Sequence, residues 1–176
     1  MIDDKYVKKV LCERNKRRME IHKRIMELYG EMQDSDDMIR SMAASKISYD
    51  WERRKGAVKK DLGDWLFLHK QLIKNQNREI EVELWNLTQE EERMNRIWVC
   101  FRTLEGKEQE FLQKLYVEGH AYKDVERESG LSHKSFETIR AKGVKRIIQL
   151  YESEMSNQEI IEQSGQAHFN SQAPHS

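Results

Sequence analysis

Proline is almost absent from this sequence: the only one, Pro174, stands close to the C-terminus. Nothing ahead of it carries a fixed ring that would interrupt a long helix. Alternating runs of Val, Ile and Thr are missing as well, so a β-sheet has little to start from. Cysteine is limited to Cys12 and Cys100, far apart and without a CxxC pair, which suits a reducing compartment and ordinary thiols. There is no excess of either charge, since 31 Lys and Arg balance 31 Asp and Glu. Attraction to a polyanion must therefore come from local charge. No stretch approaches the roughly 18 apolar residues of a membrane span, and the start, with Asp3 and Asp4, lacks a signal-peptide pattern. The expectation is an all-α, soluble, cytoplasmic chain with no membrane partner.

Signs of catalysis are lacking too. The chain has no glycine-rich phosphate loop, no nucleophile elbow and no HExxH. His22, His69, His120, His133, His168 and His175 show no ligand spacing among themselves or with the cysteines. Carboxylates alternate with Lys and Arg along helix faces, as solvated faces do. No enzyme, no metal and no cofactor are expected.

What the sequence does contain is helical periodicity. Over residues 6–32, Ile21, Ile25, Leu28 and Met32 step by four, three and four. The middle of that helix is basic (Arg14, Lys16, Arg17, Arg18), a pattern that more often marks a solvated face than a phosphate contact. Residues 33–50 are polar and short-sided and read as a linker, with Ser48 or Asp50 able to cap the next helix. One apolar face then runs from Trp51 and Val58 through Leu62, Trp65 and Leu66 to Ile73. Ile80, Leu84, Leu87, Met94, Trp98 and Phe101 form a second run, a heptad with Glu91 in its skipped position. The polar residues 74–78 between them predict a loop or exposed turn. The four tryptophans fall mostly at core spacing. Residues 1–102 are thus expected to form long amphipathic helices, hairpin or coiled-coil-like, that oligomerise or contact a partner. Residues 155–176 read as an acidic, flexible tail, in which 156–163 could form a short helix.

Between them, residues 103–154 predict three short helices. The first covers 107–117, with Phe111, Leu112 and Leu115 inward and Gly119 closing it. The second covers 122–129, with Val125 and Tyr122 inward. Gly130 makes a tight turn, Leu131 plugs the core, and Ser132 caps a third helix whose inner face is Phe136, Ile139, Val144, Ile147 and Ile148. A glycine turn, an apolar plug and a capped second helix with a free outer face make up a helix-turn-helix. From Leu131 to Leu150 five cations (Lys134, Arg140, Lys142, Lys145, Arg146) face one acid (Glu137), a net +4. The candidate DNA-binding residues are His133, Lys134, Ser135, Glu137, Thr138, Arg140, Lys142, Lys145 and Arg146.

The segment EGHAYKDVERESGLSHKSFETIRAKGVKRI resembles region four of bacterial sigma factors. Long helices ahead of it, with no sigma region two, resemble the layout of phage regulators of late transcription, the RinA and ArpU type. The resemblance implies that His133, Lys134, Glu137 and Thr138 face bases and that Lys142 contacts the backbone. Gly143 stands where that family usually has alanine, which softens the third helix by about 1 kcal/mol. The expected function is sequence-specific binding of double-stranded DNA to regulate transcription, as an activator of phage or mobile-element genes. RNA polymerase and a second copy of the chain are expected partners. An adaptor using the same fold without reading DNA, or a divergent alternative sigma factor, are the other readings.

Overall fold

The computed structural model describes the backbone of residues 2–32 and 62–171, with side chains over 2–32 and 67–164. The expected linker over 33–50, its capping residues and the stripe from Trp51 to Val58 lie outside the described residues. Every regular element among the described residues is helical: α1 (Asp4–Glu31), α2 (Leu62–Arg102), α3 (Gly106–Leu112) with a π-helical turn (Gln113–Val117), α4 (Tyr122–Ser129), α5 (His133–Glu152) and α6 (Asn157–Ser171). None of these helices is long and apolar enough to cross a membrane.

The chain divides into two compact units, Met1–Met19 with Glu90–Ser176, and Glu20–Gln89. In the second unit, Ile21, Leu28, Ile73 and Ile80 are buried. Arg24 grips Glu83 with Nε–H to Oε1 at 2.8 Å and Nη2–H to Oε2 at 3.1 Å. The loop expected at 74–78 is absent, because α2 runs unbroken through it. Lys, Asn, Gln and Arg are compatible with helix, so polarity there marks exposure and not a stop. Trp85, one of the four tryptophans read as falling mostly at core spacing, is 61% exposed.

The first unit is wider than the stretch 103–154, because α1 and the end of α2 contribute to it. Along this part of α2, Met94, Ile97, Cys100 and Phe101 are all buried, as are Leu104 just beyond it and Val7, Val10 and Leu11 of α1. A two-helix seam would bury one stripe. Ile97 and Cys100 are enclosed because α2 is covered on more than one side here. Trp98 lies at the margin, 5.2 Å from the Phe101 ring, with the Arg14 guanidinium 4.4 Å over its face. Glu91, in the skipped heptad position, accepts from Arg18 Nε at 3.0 Å, and Arg17 makes two bonds to Glu90. The basic run of α1 is thus largely spent on α2.

The C-terminal segment is no free tail. Ser156 and Glu159 form a capping box: Glu159 N–H donates to Ser156 Oγ at 3.2 Å, and Ser156 N–H to Glu159 Oε2 at 2.6 Å. That box starts α6, and Ile160 on its first turn is only 2% exposed. Arg96 of α2 fastens the same region. Its Nε–H donates to Tyr151 O at 2.9 Å, Nη2–H to Ser153 O at 2.8 Å, and Nη1–H to Asn157 Oδ1 at 3.2 Å. Docking through an apolar residue makes α6 part of the fold. Ile160→Ala should therefore lower unfolding free energy by about 2–5 kcal/mol, read by chemical denaturation of the full chain. An undocked tail would give no change.

Candidate nucleic-acid interface

The third-helix region is built around an aromatic cluster. Phe111, Leu115, Val125 and Phe136 are buried together, with Tyr116, Tyr122, Leu131 and Ile139 packed against them. Phe136 is the hub, 4.7 Å from the Phe111 ring and 5.2 Å, edge-on, from Tyr122. The bounds of α4 match the expected 122–129, and Leu131 plugs the cluster as expected. Gly130 sits at φ 64 and ψ 11, a left-handed conformation that a side chain would strain, and it lets the chain reverse within a few residues. Ser132 caps α5, its Oγ accepting from Ser135 N–H at 3.3 Å.

The first of the three helices differs from expectation in its winding. After Leu112 it widens into a π turn, with Glu118 N–H donating to Gln113 O and His120 N–H to Lys114 O, both at 2.9 Å. Gly119 closes it at φ +73. Gly143 has a packing role that the sequence comparison with alanine hides. A Cβ there would stand 3.0 Å from Leu112 Cδ1 and 3.4 Å from Glu108 Cβ, so glycine allows α3 and α5 to approach. The helix-propensity cost is set against that contact.

The nine candidate residues fall into three groups. Lys134, Thr138, Lys142, Lys145 and Arg146 are exposed, and Lys134, Thr138 and Lys145 lie about 160–200° around the helix from Phe136 at ~100° per residue. Among the described residues Lys134, Lys145 and Arg146 have no carboxylate partner. Lys142 Nζ pairs with Glu108 Oε1 at 2.8 Å, and the other oxygen of that largely buried carboxylate has no hydrogen bond. Thr138 Oγ1 donates to Lys134 O at 2.8 Å, within the helix.

A second group serves the turn. Ser135 is exposed but belongs to the cap, its hydroxyl 2.9 Å from Ser132 Oγ. His133 is exposed and bonds back to α4, its Nδ1 2.9 Å from Glu126 Oε1.

Glu137 and Arg140 point the other way. Arg140, only 18% exposed, donates from Nε to Glu137 Oε1 at 3.2 Å and from Nη2 to Oε2 at 2.6 Å. Its Nη1–H reaches Tyr116 Oη at 2.6 Å, and the Tyr122 hydroxyl donates to Glu137 Oε1. The hydrogen bonds from Arg140, then from Tyr122, hold the Glu137 carboxyl below its ordinary range. Three outward positions lie beyond the nine candidates. Ala141, Gln149 and Glu152 share the face of Lys134 and Lys145, a placement that helical register alone predicts.

The outward face therefore holds three cations (Lys134, Lys142, Lys145), with Arg146 exposed on its flank and one acid, Glu152, at the C-terminal end of α5. Such a face attracts phosphates, and the side chains on it can reach base edges in a major groove. No metal-ligating cluster of three His, Cys, Asp or Glu exists among the described residues. No family model, curated protein or solved structure matches the chain.

Burial, then the Glu137 carboxylate it faces, pushes the Tyr122 phenol up to about 12 from an ordinary 10.0. A folded pKa above the unfolded one means that the fold retains the proton. The stabilisation is complete below pH 10.0 and is lost as pH rises through about 12. Denaturation midpoints should fall across that window, and Tyr122→Phe should make the fall shallower. An identical alkaline decline in the variant would show that Tyr122 does not contribute.

Proposed function

We propose that the protein is a DNA-binding regulator of transcription, with α4, the Gly130 turn and α5 acting as a helix-turn-helix and α5 entering the major groove. The observation that carries this reading is the cationic outer face of α5, where Lys134, Lys145 and the flanking Arg146 have no carboxylate partner among the described residues and the one acid, Glu152, stands at the far C-terminal end. In a chain of zero net charge, such a face is a local device and not a by-product of composition. Resemblance of the segment from Glu118 to Ile147 to sigma region four supports the same reading. It extends it to an activator of phage or mobile-element late genes that works with RNA polymerase.

Selection of duplexes from a random library by the full chain tests the proposal. An enriched sequence is expected, with affinity falling steeply as salt rises. Lys145→Ala should weaken all duplexes alike and reduce the log–log salt slope by about 1, whereas Lys134→Ala with Thr138→Ala should cost about 1–3 kcal/mol at the selected sequence only. Absence of any enriched duplex would reject the reading in favour of a protein-binding adaptor.

One recognition helix reads few base pairs, and two copies on adjacent half-sites multiply specificity. We propose a homodimer through α1 and α2, where Met26, Val82 and Trp85 leave large apolar surface exposed. Sedimentation of the full chain should give a dimer at micromolar concentration. A monomer both with and without the selected duplex would remove this part.

A further inference from the structure

We infer that Glu137 and Arg140 do not touch DNA but set the angle at which α5 is presented, as positioning residues in a cross-brace with Tyr116 and Tyr122. The inference rests on the DNA-binding reading above and changes which residues of α5 do the reading.

The brace joins three elements. Tyr116 comes from the π turn, Tyr122 opens α4, and Glu137 and Arg140 are one turn apart on α5. Its bonds close on themselves: the guanidinium gives two hydrogens to Glu137 and one to Tyr116, and the carboxylate takes a third hydrogen from Tyr122. A base edge would have to displace bonds that are already made, two of them charge-assisted and fork-shaped. The ring of Tyr122 also packs edge-on against Phe136, so the hydroxyl is held by the same cluster that buries α5.

Three features assign the brace to positioning. It is electrically neutral, one carboxylate against one guanidinium, so it adds nothing to phosphate attraction. Its members on α5 lie about 40° and 100° around the helix from Phe136, at ~100° per residue, and not on the side opposite it. It also anchors the π turn, whose winding departs from the α-helix, to the flank of α5. A tilt of α5 moves Lys134, Thr138 and Lys145 relative to a groove without changing their charge.

The test uses the full chain and the duplex enriched by it. Tyr116→Phe and Tyr122→Phe remove one hydroxyl each and leave charge unaltered. Each is expected to lower affinity for the enriched duplex about ten-fold, a loss typical of one positioned hydrogen bond. Affinity for an unrelated duplex and the salt slope should stay at their wild-type values, which a general loss of folded protein would not allow. Glu137→Gln, put through the same selection, should enrich the same bases more weakly. A changed base preference at one position would make Glu137 a reader and overturn the inference, as would wild-type discrimination in both tyrosine variants. If Glu137→Gln fails to melt cooperatively, the tyrosine variants decide alone. A wild-type chain that enriches no duplex rejects the DNA-binding reading itself, and the brace's role with it. Enrichment by wild type with unchanged variants rejects the brace alone.

Discussion

The guanidinium of Arg96 is the point on which the larger unit depends. An α-helix ends with carbonyls that lack partners inside the helix, and α5 has no cation of its own in the last turn. Arg96 reaches across from α2 and gives hydrogens to Tyr151 O and Ser153 O, with the Tyr151 ring 5.7 Å from its centre. The same group holds Asn157 at the start of α6. One planar fork thus ends α5, begins α6 and fixes both to α2. A lysine could supply the charge but not three divergent bonds at fixed angles.

With its C-terminus held there, α5 is tied down at every level. Ser132 satisfies its first turn, Phe136 and Val144 bury its inner side, and Glu137 with Arg140 secures its flank. Gly143 admits α3 against the middle. What stays uncommitted is the outward stripe. A surface meant to meet a partner of fixed shape gains from such anchoring, because less freedom is lost on contact.

Most of this is legible where the signal is local. Gly130, Leu131 and Ser132 stand next to one another and dictate turn, plug and cap within three residues, so the bounds of α4 and the start of α5 can be read directly. The Ser156–Glu159 capping box is equally local, and an acidic, lysine-free composition masks it. The unbroken course of α2 is hidden for a related reason: residues 74–78 are polar because that stretch is exposed, and polarity says nothing against helix. Glu137 reads as outward from its charge and from the resemblance to sigma region four, Arg140 from its charge. Their angular positions near Phe136 favour the flank, yet the tyrosines that receive them come from elements 15 and 24 residues away in sequence, which no local pattern supplies.

Several arginines of this chain are committed to internal partners, and two lysines of α5 are not. Arg14, Arg17, Arg18, Arg24, Arg96 and Arg140 each engage a ring, a carboxylate or backbone carbonyls. Lys134 and Lys145, by contrast, stand outward without a carboxylate partner among the described residues. Guanidinium groups lose less on desolvation and bind in fixed forks, whereas ammonium groups are compact, strongly hydrated point charges on flexible stems. Equal totals of acid and base therefore do not cancel across the surface. Glu83, Glu90, Glu91 and Glu137 are occupied by arginines, and the positive field of α5 is left to Lys134, Lys145 and Arg146. A neutral protein acquires a directed cationic face in this way, without the self-repulsion that a net positive charge would bring to the fold.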